Sequence, residues 1–324
     1  MFSLQSPAVM HTRLPFFLVL PVLFAGLTAC SVQRPPRAAG PTGGTYCTPP
    51  RPLTDDVRFR PLPDTDPALR AEGALAGFSE HDRLLANATG LVPLLRQRYR
   101  LRADSSTAGQ LSRLGLDQQL SQRLQLVSTQ LTSLAAELDC EGERADQLAR
   151  ALDERDSRRI RRLTIGSAVL GAITTVATAF IARDGVNKSL DIAGGLISTG
   201  LGVAAAVNTR QTVSFAHARN LLTDIWTEQT QSDLYPPAVW YVLHHPAFSN
   251  SARQTIAHNI RARWIGYELA DAAPADRALY FGAGGPYRAD ALHVRANMLN
   301  QLQSSIWSIS QDLQSLQQQL IQQP

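Results

Sequence analysis

Residues 120–152 read LSQRLQLVSTQLTSLAAELDCEGERADQLARAL, and this stretch decides the fold. Leu120, Leu124, Val127, Leu131, Leu134, Leu138, Ala145, Leu148 and Leu152 recur at alternating intervals of three and four, with Gln, Arg, Asp and Glu between them. A helix gathers positions so spaced into one narrow apolar stripe, whereas a half-buried strand would need strict alternation. Glu141 interrupts the stripe once. The C-terminal segment repeats the pattern in Leu299, Leu302, Ile306, Ile309, Leu313, Leu316 and Leu320, within a glutamine-rich run. Two helices of this kind either share one bundle or associate between chains, and neither arrangement excludes a dimer.

On the C-terminal side of the stripe, the basic run RRIRR leads into LTIGSAVLGAITTVATAFIA, residues 163–182, which carry no charge. After RDGVNKSLD comes a second apolar run, IAGGLISTGLGVAAAV, residues 192–207. The pair predicts a helical hairpin with its turn at Asp184-Gly185. Ser167, Gly171, Thr175 and Ala179 lie four apart on the first arm, and Gly194, Ser198, Gly202 and Ala206 do the same on the second. Such small-residue faces let two backbones approach closely. Only seven of the nineteen residues 164–182 are Leu, Ile, Val or Phe, each worth roughly 0.3–0.6 kcal/mol at mid-membrane. Two readings stay open: a hairpin inserted in a bilayer, or one packed within a helical body.

The N-terminal thirty residues contain MHTRLPFFLVLPVLFAGLTAC, a basic start, an apolar run and small residues ahead of a cysteine, which is the pattern of an export signal. Its ending, Leu27-Thr28-Ala29-Cys30, resembles the lipobox of bacterial lipoproteins. That resemblance covers the N-terminus alone and implies lipid modification of Cys30, several acyl chains holding far more firmly than one. Ser31, rather than aspartate, follows the cysteine, and the sorting rule for such proteins then implies the outer membrane. A signal of ordinary length would start at Met10.

Nine prolines fall between Ser31 and Pro67, in clusters that favour extended geometry and cannot build a core, so this segment is expected to be a tether. Cys47 and Cys140 are the remaining cysteines. In an oxidising compartment they are candidates for a disulfide joining tether to body, worth about 4 kcal/mol in the chain-entropy account of a loop this long. Two short helices are expected around a break at Gly90 to Pro93.

Residues 211–290 hold most of the aromatic side chains, as anchors of a helical core or as an interaction surface. FGAGGPY, residues 281–287, lacks the G-x-G-x-x-G spacing and a Lys-Ser/Thr pair, and reads as a turn between helices. His217, His244, His245, His258 and His293 show no metal-ligand spacing and read as surface or capping residues. No G-x-S-x-G elbow occurs. A formal net charge of +4 argues for no nucleic-acid partner.

The expectation is an all-α protein, an elongated helical bundle with long coiled-coil-like helices and a glycine-rich apolar hairpin. Its divisions are 1–29 signal peptide, 30–67 anchor and tether, 68–162 helical segment, 163–207 hairpin and 208–324 helical C-terminal region. The expected function is non-enzymatic: a lipid-anchored component of an outer-membrane assembly, facing the periplasm or the cell surface. Its partners would be the membrane and other proteins or its own copies, with no catalytic residue, metal or cofactor. The alternative is a membrane-active protein that inserts the hairpin, since the layout resembles that of helical pore-forming toxins of the cytolysin A type.

Overall fold

A computed structural model describes residues 47–49, 56–181 and 211–322 of the 324, with the backbone alone at 170 and 173–181. The described chain is mostly helical. Three short 3-10 turns, Val57–Phe59, Pro67–Leu69 and Gly73–Leu75, precede helices α1 (Glu80–Ala88) and α2 (Val92–Arg100). Ser79 starts α1 by accepting from the Asp82 amide at 3.0 Å, and the Asp82 carboxylate accepts from the Ser79 hydroxyl at 2.7 Å. Gly90 makes the turn into α2 at φ +73°, where a Cβ would lie 2.4 Å from the Phe59 carbonyl oxygen. Only glycine tolerates both the left-handed backbone and that approach.

Helix α3 runs from Thr107 to Ile181 without a break, so the leucine stripe and the first apolar arm are one element. Helix α8, Ala289–Gln322, lies antiparallel to it. The direction follows from cross-helix pairs, His293 with Asp146 and Gln303 with Asp139, in which α8 advances as α3 recedes. Leu131, Leu134, Leu138, Leu302 and Ile306 are fully buried where the stripes meet. Each such side chain contributes roughly 1.5–3 kcal/mol by leaving water. His81 of α1 reaches Asp312 of α8 at 3.2 Å, which ties α1 to the same pair.

Between the long helices in sequence lie α4 (Leu221–Thr227), α5 (Pro237–His244), α6 (Ile256–Arg263), a π-helical turn (Trp264–Glu268) and α7 (Pro274–Phe281). Their aromatic side chains are mostly core: Trp240, Trp264, Tyr235, Tyr280 and Tyr287 are buried, and Trp226 stacks on Phe281 with centroids 4.2 Å apart. Tyr267 is the exception at 83% exposure.

FGAGGPY is more than a turn. Gly284–Tyr287 forms strand β2, paired antiparallel with β1, Val213–Ala216, in the register Val213↔Tyr287 to Ala216↔Gly284. Gly284 sits at φ +90°, and a Cβ there would meet the Phe215 carbonyl oxygen at 2.2 Å, so the glycine is what lets the ribbon close. The all-α expectation therefore holds as a class, with one small two-stranded ribbon added.

Candidate functional site

The arm comes first. Among the described side chains of α3 Leu152 is the last that is buried, and from Asp153 onward the described positions are exposed or half-buried. Arg158, Arg159, Arg161 and Arg162 form an exposed basic collar, with Arg158 held by Glu154 at 3.2 Å. Beyond the collar Ile165 and Val169 are 57% and 43% exposed. The uncharged part of the helix, residues 163–181, extends about 28 Å at 1.5 Å per residue. The chain is back against the body at Gln211, whose amide donates to Asp156 at 3.4 Å.

Of the small-residue positions, Ser167 is half-buried, its hydroxyl donating to the Thr164 carbonyl at 2.9 Å. Gly171 lies on the helix, and no described atom stands within 4 Å of a Cβ built there. Thr175 and Ala179 lie on the helix too, while Gly194, Ser198, Gly202 and Ala206 fall outside the described residues, as does Cys30. Among the described residues no helix is long and apolar enough to cross a membrane, so the transmembrane part of the hairpin expectation finds no support there. Cys47 and Cys140 are joined by a disulfide, their Cα atoms 5.5 Å apart.

A buried polar cluster sits where α3, α8 and the ribbon meet. Glu141, the interruption in the stripe, pairs with Arg144 at 2.6 Å; Arg144 also donates to the Ala216 carbonyl at 3.1 Å and lies 3.8 Å over the Phe215 ring. One turn earlier Glu137 pairs with Arg219. Burial outweighs that pairing and raises the Glu137 carboxyl to about 7. Arg295, fully buried, donates to the Tyr280 carbonyl at 2.9 Å and to the Asn220 side chain at 3.3 Å.

His217 is also interior, contrary to the surface or capping role read from the sequence. Its Nδ1 lies 2.9 Å from the Gly282 carbonyl and its Nε2 lies 3.1 Å from the Tyr287 hydroxyl. The first contact requires Nδ1–H as donor, so in the neutral ring Nε2 can only accept, and it competes with the Leu279 carbonyl, 3.0 Å away, for the single Tyr287 hydroxyl proton. Burial, helped by the nearby Arg295 charge, pushes His217 down to about 3, so the ring is neutral at ordinary pH. None of these groups lines the clefts described below, and their contacts tie the ribbon to the long helices. Only Glu141 was visible in the sequence as an anomaly. Arg219 and Arg295 have no local pattern that distinguishes them from surface arginines.

An open groove of about 810 Å³ lies between α2, the N-terminal third of α3 and the end of α8. Leu95, Leu120, Leu124, Leu313 and Leu320 line it, flanked by Ser, Thr and Gln side chains and by the Arg98–Asp117 pair at 2.7 Å. Ile321, also in its lining, is 78% exposed. Such a lining suits an apolar segment with a polar margin and offers no acid, base or nucleophile in a catalytic arrangement.

Among known proteins, no family model, no curated sequence and no solved structure matches the chain.

Proposed function

We propose that this chain is a non-enzymatic, lipid-anchored envelope protein whose helical body presents protein-binding surfaces within an outer-membrane assembly. The observation that carries the reading is the arm: α3 continues to Ile181 past Leu152, the last buried side chain among those described on it. A helix whose leucine stripe ends while the helix continues places residues away from its own core, and a partner can complete what the chain leaves open. In this reading the two leucine stripes form the coiled-coil-like seam of an elongated helical bundle. Cys30 carries the lipid, and the proline-rich segment after it is the tether. Leu27-Thr28-Ala29-Cys30 and Ser31 support the anchor and its outer-membrane destination.

The test replaces residues 163–207 with a short Gly-Ser linker. The intact chain is expected to migrate in a large complex after detergent solubilisation, and the shortened protein to lose that complex while keeping its melting temperature and membrane fractionation. Retention of a complex of unchanged size would overturn the reading.

A second reading, a membrane-active arm, draws on the exposed Ile165 and Val169 above the arginine collar. Basic side chains beside an apolar helix favour an anionic bilayer surface. It predicts dye release from anionic liposomes by the intact chain and none by the shortened one.

A further inference from the structure

The end of helix α2 and the turn after it read RQRYRLR, residues 96–102, in which four of seven residues are arginine. The chain as a whole holds 31 Lys and Arg among 324 residues, so the cluster is a local concentration rather than the background composition. Helical spacing sorts it: Arg96 and Arg100 are four apart, as are Arg98 and Arg102, and the two pairs flank Tyr99 on opposite sides.

Two clefts result, one on each side of Tyr99. The first, about 300 Å³, is lined by Arg70, Arg96 and Arg100, with Glu72 3.9 Å from Arg70 as its carboxylate. The second, about 350 Å³, is lined by Arg98, Arg102, Arg113, Tyr99, Leu95 and the Gly73–Gly77 turn, with no carboxylate in its wall.

The second cleft is held in shape before anything enters it. Arg102 stacks 3.5 Å over the Tyr99 ring and donates through Nη1 to the Tyr99 carbonyl at 3.1 Å. Arg113 donates through Nη1 to the Arg102 carbonyl at 3.3 Å. A guanidinium carries five N–H donors, so one backbone contact fixes each of these two heads while leaving donors to aim into the cleft. Asp117, the partner of Arg98 at 2.7 Å, lines the neighbouring groove rather than this cleft. Asp104, held low by hydrogen bonds from Ser106 and by the Arg113 charge, stays anionic near Arg113 but is not among the residues lining the cleft. Arg102 and Arg113 therefore line one small volume together with Arg98, whose guanidinium is paired with Asp117, and no carboxylate is among the residues lining the cleft.

We propose that this cleft binds a phosphate monoester carried on a body about the size of a sugar or glycerol. Arginine forks match phosphate oxygens in bidentate fashion, and the cleft exceeds the room a phosphate alone would take. The ligand is a lipid headgroup of that chemistry or a free sugar phosphate.

The full chain in detergent is titrated with dihexanoyl phosphatidic acid and with glucose 6-phosphate, binding being read as a shift in melting temperature. Glucose and dihexanoyl phosphatidylcholine serve as uncharged-body and zwitterionic controls. A saturable shift with either phosphate monoester, at least tenfold weaker in the Arg102→Gln, Arg113→Gln double variant and unchanged in Arg159→Gln on the arm, supports the site. A response confined to the phosphatidic acid assigns the lipid headgroup, and one confined to glucose 6-phosphate assigns the soluble ester. Should the double variant fail to fold, Arg113→Lys keeps the charge without the fork and should weaken binding severalfold. No shift with either monoester, equal shifts with the controls, or affinity unaltered in the cleft variants would overturn the proposal.

Discussion

Glu137 and Glu141 place two carboxylates one turn apart inside the protein, and each meets an arginine there. Burying charge costs several kcal/mol per ion, so pairs of this kind fix an arrangement more than they stabilise it. The cost shows in Glu137, whose carboxyl rises from 4.5 to about 7. A folded-state value above the unfolded one means that the native protein binds the extra proton, so this residue's contribution falls as pH rises from about 4.5 to 7. His217 has the opposite sign: depressed from 6.5 to about 3, it contributes stability above 6.5 that is lost as pH falls toward 3. Chemical denaturation of the wild type and of Glu137→Gln at pH 5 and pH 8 separates the two. The variant is expected to gain on the wild type by about 2–3 kcal/mol between those pH values; a constant difference would show that Glu137 is ionised throughout. The leucines of the stripe could be read from the sequence because their neighbours on the helix face are three and four residues away. The partner of Glu137 is 82 residues away, and no spacing announces it.

Helix α3 passes through two environments, and substitutions along it should divide accordingly. Leu138 is fully buried against α8, so Leu138→Ala should cost about 2–5 kcal/mol in urea denaturation. Val169, 43% exposed on the arm, should change stability by less than about 0.5 kcal/mol when made Ala. A comparable loss at both positions would show that the arm is part of the cooperative core. The element boundaries that the sequence predicted well are those with local chemistry: the Gly90 to Pro93 break, and the helix start after Tyr287. The ribbon was not legible because GGPY has neither alternation nor β-branched residues, and its partner VSFA pairs with it across 68 to 74 residues of sequence. The continuity of α3 was missed for a different reason. The change from leucine stripe to glycine-rich run is a change of surroundings, not of backbone conformation.

At the scale of the whole molecule, the all-α class followed from periodicity, while the arginine clefts beside Tyr99 needed three segments to converge. The Cys47–Cys140 bond has a consequence of covalent topology. It closes a ring that contains α1, α2 and the arginine-rich turn leading into α3. A single cut within that ring opens the circle without separating its ends. Limited trypsin digestion at exposed Arg102 should therefore leave one species on a non-reducing gel and two on a reducing one; two fragments without reductant would place the thiols apart. Whatever is fixed to the chain ahead of Cys47 stays fastened to α3 after such a nick, and separating them by a cut inside the ring takes two chemically different events, hydrolysis of a peptide bond and reduction of a sulfur bond.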